Sequence, residues 1–372
     1  MGMIASLPDV EWRVLMLQPG PFHDELRAAG IPVSVMQTGR TAFAVAGAAF
    51  RTMRARRGWR PDVVVGNGIK AQLVAALSGL FTGTPTVWVK HDYSFDRTLS
   101  RPLGRISDHV VTTAVEVGAA ASRTDLVVIN PPVQGREPLD RESARRRLHE
   151  HGVSFDDRPS LVMAGRLVPY KGVDDAVEAL AMPGAERWRL IVIGDDDHSA
   201  PGEQERLSRL AEQRGVGTRV TFVPPVKGLD DLFAAFDALA VLTKPTDRRS
   251  PSKEGFGMTA FEAMQAGIPV IAVSGSPVSG RLGNDAGISV GPWAPGEIAA
   301  ALSRMSDPDV RQEMGRQGRR RVSGYADADA AAAAFADVLR GAASAGWGSV
   351  LRGRMRRLLP WSDRLLRRGA GG

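Results

Sequence analysis

The sequence predicts an α/β protein of two Rossmann-like, doubly wound parallel-sheet domains facing a cleft. Three observations carry that prediction. Apolar runs of strand length recur along the whole chain, most of them continuous, as in parallel strands covered on both faces. Helical patterns stand between them, so each strand leads into a crossover, which in such sheets is right-handed. The alternation then occurs twice, with a charged segment across 134–158 separating the two series.

In the first series the strand candidates are "WRVLMLQ", "IPVSVMQ", "PDVVVGN", "PTVWVKH", "HVVTTA" and "DLVVINPP". Between them "FHDELRAAG" and "GIKAQLVAALSGL" read as helices. In the second series the strands are "SLVMAGRL", "WRLIVIGD", "VTFVPP", "ALAVLTK", "IPVIAVS" and "GISVGP". Here "GVDDAVEALA", "EQERLSRLAEQRG", "LDDLFAAFD" and "TAFEAMQAG" read as helices. The expected organisation is a first domain over 1–140 and a second over 141–325. An alanine-rich helix over 326–345 is expected to pack back toward the first domain, and 346–372 forms a basic tail. In open sheets of this kind ligands bind beyond the C-terminal ends of the strands, so the site is expected in the cleft.

Composition narrows the function. The 372 residues are 43% apolar and 24% charged, as in a soluble globular protein. There is no cysteine, which excludes disulfides and thiolate metal sites and fits an intracellular, cytoplasmic setting. No apolar run reaches the roughly 20 residues of a membrane span. Of the net charge of +7, residues 341–372 carry +6, from seven arginines and Asp363. The body is therefore near neutral, which argues against a nucleic-acid-binding fold.

Two stretches of the second half and one of the first carry candidate chemistry. "GRLVPYKG" puts Gly165, Arg166 and Lys171 just after a strand, where a guanidinium and an ammonium can bracket a diphosphate. Alone, the same loop also reads as a solvated basic turn. "KEGFGMTAFEAM" supplies Gly255, Phe256, Gly257 and Met258, whose backbone N–H groups can approach a ligand at a helix N-terminus. Glu262, one turn into that helix, can accept from vicinal ribose hydroxyls, and Glu254 from sugar hydroxyls; each alone also reads as a cap or a solvated acid. In the first half "VWVKHDYSFDR" places His91 and Asp92 at a strand end, and "GNGIK" places Asn67 and Lys70 at another. Asp195, Asp196, Asp197 and His198 mimic a metal site but read as a polar turn, so no metal ligand is assigned.

The combination "GRL…YKG" with E-G-F-G-x-x-x-x-E-A-M-x-x-G-x-P-V resembles glycosyltransferase family 4, of the GT-B fold. The resemblance spans nearly all of 12–340. It implies a retaining enzyme that moves a hexosyl group from a UDP- or GDP-sugar to a hydroxyl of a glycan, lipid-linked or small-molecule acceptor. No metal or other cofactor is implied. Arg166 and Lys171 would hold the donor diphosphate, Glu262 the ribose and Glu254 the sugar. His91 would orient the hexose, with Asn67, Lys70 and Asp92 on the acceptor side. Catalysis would rest on positioning and electrostatics rather than on a nucleophile–base pair.

Two departures qualify this. The family opens with a strand and a glycine-rich loop, whereas "MGMIASLPDVEWRVLML" resembles only the end of the helix that follows them. The expectation is a start lying upstream or an impaired first domain, and hence an alternative of a catalytically silent binding or scaffold protein. Hydrolysis by Glu254 and Glu262 as an acid–base pair is disfavoured by the low aromatic content of 6%. In the tail, Trp347, Leu351, Met355 and Leu358 fall at helical spacing with arginines largely elsewhere. That pattern suits peripheral contact with an anionic membrane across 347–368, or a disordered tail.

Overall fold

The computed structural model describes residues 4, 7–20, 22–39, 41–55, 59–131, 137–245, 252–323, 328–345 and 347–358. Contacts divide the chain into two compact units, one formed by residues 1–132 with 328–372 and the other by 133–327.

The first unit contains β1 (Val14–Met16), β2 (Val33–Val35), β3 (Val64–Asn67), β4 (Thr86–Lys90), β5 (His109–Thr112) and β6 (Val127–Val128). All pairings are parallel, as continuous apolar strands require. They form two sheets, β1-β2 and β3-β4-β5-β6, rather than the single sheet expected. No described strand bridges β1 and β3; the two pieces are instead connected by packing of helix Ala42–Ala55 on helix Ile69–Thr82 through Val45, Ala48, Ala49 and Val74. Helix Ala328–Ser344 returns from the far end of the chain. Its Phe335 and Leu339 pack with Val87 and Val111 on one face of the four-stranded sheet. Trp88 and Val110 point the other way, toward Ala76 and Leu103.

The helix Trp347–Leu358 covers the first part of the tail. Its apolar Leu351 and Met355 are exposed, and Arg354 is turned inward, 2% exposed. The Arg354 guanidinium meets Asp108 through Nε (3.2 Å) and Nη2 (2.5 Å). It also donates to the carbonyls of Gly79 (2.8 Å) and Thr84 (3.0 Å). Helical spacing alone assigns this arginine to solvent. Asp108 and two open carbonyls, 246 to 275 residues away in sequence, hold it inside instead. Residues 359–372, with Pro360, Trp361 and Leu365, lie outside the described residues.

The second unit is one six-stranded parallel sheet. Its strands are β7 (Ser160–Ala164), β8 (Arg189–Ile193), β9 (Val220–Val223), β10 (Ala238–Val241), β11 (Val270–Val273) and β12 (Gly287–Val290). The order β12-β11-β10-β7-β8-β9 places β7 against β10 at the point where the winding reverses. Strand residues alternate between two apolar cores, so both faces are covered. Val162, Leu239, Val270 and Ala272 enter one core, and Leu161, Met163, Ala238, Ala240 and Ile271 the other. "LDDLFAAFD", expected as an α-helix, is a 3₁₀ helix over Leu229–Ala235. Leu232, Phe233, Ala235 and Phe236 are buried, whereas Asp230, Asp231 and Ala234 are half-buried.

Removing one partner of a buried, hydrogen-bonded ion pair leaves a stranded charge, at about 3–5 kcal/mol. Arg354→Ala is therefore expected to lower the urea-unfolding stability of the first unit by that amount. Arg352→Ala, an exposed neighbour, should change it by less than about 0.5 kcal/mol. Equal effects of the two variants would contradict the docking of this helix.

Candidate functional site

The second unit has a pocket at the reversal of its sheet, lined by the ends of β7 and β10 and by the loop that precedes helix Met258–Gln265. Gly165, Arg166, Lys171, Thr243, Glu254 and Thr259 contribute to its wall. Chains leaving the adjacent strands β7 and β10 turn toward opposite sides, which opens a crevice at the strand ends.

Glu254 sits at the centre of the polar wall. Its Oε2 accepts from the Lys171 ammonium (2.8 Å) and the Thr243 hydroxyl (2.6 Å). The Glu254 side chain is 13% exposed and that of Lys171 28%. Oε1 of Glu254 has no hydrogen-bond partner among the described residues. The loop is held from behind by Ser252, which donates to the Thr243 carbonyl (2.6 Å) and accepts from the Glu254 N–H (3.2 Å). Thr243 was not read from the sequence; its place immediately beyond a buried strand end, in "AVLTK", was the available signal.

Arg166 is more open, with its side chain 63% exposed. It donates to Asp197 (2.6 Å) and to the Tyr170 hydroxyl (3.1 Å). Asp197 is held well below the ordinary carboxylate range, first by hydrogen bonds from Ser199 and then by Arg166. Asp196 accepts from the N–H groups of Gly202 (2.7 Å) and Gln204 (2.8 Å), at the start of helix Glu203–Gln213. Two members of the acidic run thus serve the turn, a helix start and an arginine. Neighbouring Lys244, also missed in the sequence, pairs with Asp174 (2.8 Å) and Asp175 (3.2 Å).

The helix Met258–Gln265 begins without a side-chain cap, at Gly257 with φ 86°. A Cβ there would lie 2.2 Å from Val278 Cγ2, so both the backbone angle and the space favour glycine. The first N–H groups of the helix consequently lack the side-chain acceptor that an ordinary cap supplies, an arrangement that favours an anion. Phe256 is buried and stacks on Phe261 at 4.6 Å, with the Arg281 guanidinium 4.3 Å above its ring. Arg281 also donates to the Phe256 carbonyl (3.0 Å), which fixes the loop; sequence reading missed it.

Glu262, one turn further along, has no hydrogen bond or ion pair to its carboxylate among the described residues. Burial, with a smaller contribution from Asp230, pushes it up to about 7. The second unit thus brings together Arg166, Lys171, Glu254 and the 255–258 loop, with Glu262 on the same helix that the loop opens.

In the first unit Asn67 ends β3 and His91 follows β4, and both are exposed. The His91 ring lies over Gly68, where a Cβ would stand 3.2 Å from Cε1. Lys70 donates to the Thr38 carbonyl (2.5 Å). Asp92 accepts from the N–H (3.1 Å) and hydroxyl (2.8 Å) of Ser94. Beneath this loop Lys90 is 1% exposed and pairs with Asp96 at 2.7 Å.

Residues 144–321, nearly all of the second unit, match the family model described as glycosyl transferases group 1. The D-inositol 3-phosphate glycosyltransferase of Acidothermus cellulolyticus is 36% identical over 187 residues, which are 48% of this chain and 39% of that protein. The protein of the same description from Mycobacterium tuberculosis strain H37Ra is 37% identical over 187 residues, again 48% of this chain and 36% of its own. The matched region thus spans well under half of these relatives. Among solved structures, Anabaena Alr3699/HepE in complex with UDP-glucose superposes with a TM-score of 0.76 at 20% identity, covering 91% of this chain and 94% of that one. A glycosyltransferase from Rickettsia africae gives 0.75 at 16% identity, covering 93% and 95%. The fold is that of the GT-B glycosyltransferases.

The environment of Glu262 has a consequence for stability. A carboxyl raised from its usual 4.5 to about 7 favours the folded state while neutral. That contribution is complete below about pH 4.5 and is lost as pH rises through 7. Glu262→Gln should match the parent in urea unfolding near pH 4.5. At pH 8 it should be more stable, by at most about 3 kcal/mol. A difference independent of pH would contradict the buried, unpartnered carboxylate.

Proposed function

We propose that this chain is a retaining glycosyltransferase that takes a hexosyl group from a UDP- or GDP-sugar to an acceptor hydroxyl. The observation that carries the reading is the Lys171–Glu254–Thr243 cluster beside an uncapped helix N-terminus, in the crevice where the sheet reverses. The match to the group 1 family model and the fold shared with a UDP-glucose complex support it.

In this reading Lys171, Arg166 and the N–H groups at 257–259 receive the donor diphosphate. On donor binding Lys171 and Arg166 exchange part of their hold on Glu254 and Asp197 for phosphate oxygens. Glu254 accepts from a sugar hydroxyl through Oε1, and Glu262 accepts from the ribose. The bond from the anomeric carbon to the diphosphate oxygen breaks as the acceptor oxygen approaches on the same face. The acceptor proton passes to the departing phosphate. The cations and the helix end offset charge on that phosphate, which is electrostatic stabilisation without a bound metal. His91 is assigned to orienting the hexose, and Asn67, Lys70 and Asp92 to the acceptor. The acceptor class extends to glycans, lipid-linked carriers and small molecules, with the protein working in the cytoplasm.

Peripheral membrane contact belongs to the same proposal. No described helix is long and apolar enough to cross a membrane. Leu351 and Met355 are exposed beside Arg352 on a helix anchored by Arg354, a surface that suits anionic lipid. The alternative, a catalytically silent binding protein, draws on the division of the first unit's strands into two sheets.

Ligand-observed NMR with UDP and GDP tests the donor site. Binding of one nucleotide is expected, weakened at least tenfold in a Lys171→Ala/Glu262→Ala double variant. Glu254→Gln should retain nucleotide binding and lose more than 100-fold in transfer from the matching nucleotide-sugar. Nucleotide binding without transfer to any hydroxyl acceptor would favour the silent alternative. Nucleotide binding unaffected by the double variant would refute this site.

A second set of experiments concerns orientation of Glu254. Thr243→Val removes one of the two donors on Oε2 while keeping the side-chain shape. It is expected to lower kcat about tenfold with KM for the donor changed less than threefold, because the carboxylate is misaligned rather than lost. An unchanged kcat would remove Thr243 from the site.

A further inference from the structure

The second unit has another pocket, of about 340 Å³, at the opposite end of its strands. It is lined near the starts of β7 and β10, by Ser306 and by the first residues of two helices, Arg141–Glu150 and Pro308–Val322. A five-residue strand spans roughly 16 Å, so this pocket is separate from the crevice beyond the strand ends.

Its wall carries Arg141, Arg145, Arg158, Arg187 and Arg311 against three aspartates. Two of the aspartates are already engaged. Asp237 accepts from the Ser160 N–H (2.9 Å) and hydroxyl (3.0 Å), from Arg141 (2.9 Å), and lies 3.6 Å from Arg311. Asp156 is clasped by Arg158 at 2.6 and 2.9 Å.

Positive charge is left over. Arg187 is exposed and has no hydrogen bond or ion pair among the described residues. Arg145 uses Nε on the Ala235 carbonyl (3.1 Å) and lies over Phe155, and its two terminal nitrogens have no acceptor among the described residues. Behind the wall Arg189 is 6% exposed, and its Nε is buried without a partner. Its Nη1 stands 3.8 Å from the Asp156 carboxylate, already held by Arg158. Burial pushes both Arg145 and Arg189 down, Arg145 further through Arg141, the direction expected where cations crowd without enough counter-charge.

We propose that this pocket is a second anion site, which binds the phosphate group of a soluble phosphorylated small molecule. Guanidinium forks match phosphate oxygens in pairs, and the positive charge comes from the arginines alone, since Asp140 and Asp307 already cap the two helices that begin here. A lipid headgroup fits less well. The large exposed apolar residues among those described, such as Phe43, Phe81 and Met355, all belong to the first unit, so this pocket has no apolar rim for a bilayer. The site is independent of the donor reading and stands whether or not transfer occurs.

Calorimetric titration of the full chain with inorganic pyrophosphate tests it, using the parent, Arg187→Glu, Arg145→Met and Lys171→Ala. Arg187 holds no structural contact, so its variant is expected to fold and melt like the parent. Pyrophosphate binding that persists in Lys171→Ala and weakens at least tenfold in Arg187→Glu and in Arg145→Met establishes the site. Binding abolished by Lys171→Ala and unchanged by Arg187→Glu would overturn it, since all pyrophosphate would then occupy the donor crevice. Absence of any pyrophosphate binding in the parent would overturn it as well. Sedimentation with phosphatidic-acid vesicles that depends on Arg187, without pyrophosphate binding, would replace the soluble ligand by a lipid and so also overturn the proposal.

Discussion

The parallel pairing of β7 with β10 is the constraint on which the second unit depends. Both strands are buried on both faces, so their backbone and side chains are fixed by two apolar cores. Because the winding reverses between them, the chain must leave their ends in opposite directions. Gly165, Arg166 and Lys171 follow from one exit, and Thr243 from the other. Glu254 then reaches back to both, through Lys171 and Thr243. The polar cluster is thus a consequence of topology as much as of residue choice.

The charge arrangement around the crevice is prepared rather than neutral. Lys171 and Arg166 are held by the carboxylates of Glu254 and Asp197, whereas the helix that starts at Met258 offers N–H groups with no side-chain cap. Glu262 sits without a polar partner where burial keeps its proton on near neutrality. Unpartnered buried groups of this kind cost stability in the free protein. The opposite end of the sheet shows a related imbalance, in which arginines outnumber the aspartates that answer them.

Much of the second unit was legible in the sequence. Its six strands are the six continuous apolar runs, and Gly257 stands where a loop must turn at positive φ into a helix. Arg166, Lys171 and Glu254 were legible as single residues, but the pairs they form were not, because the partners lie apart in sequence. Thr243 and Lys171 converge on Glu254 from 11 and 83 residues away. The Arg166–Asp197 pair spans 31 residues, and nothing local in an acidic run marks Asp197 as the partner. The burial of Arg354 was not legible for the same reason, since helical periodicity cannot register a carboxylate 246 residues away. The first unit was read as one sheet because apolar runs announce strands but not which strands meet.

The central claim is that the crevice beyond β7 and β10 receives a nucleotide-sugar. A crystal structure of this chain soaked with UDP-glucose and, separately, a GDP-hexose tests it most directly. The account predicts diphosphate oxygens within hydrogen-bond distance of Lys171, Arg166 and the N–H groups at 257–259, with ribose hydroxyls on Glu262. A nucleotide bound elsewhere, with the Lys171–Glu254 pair undisturbed and the helix N-terminus vacant, would contradict it.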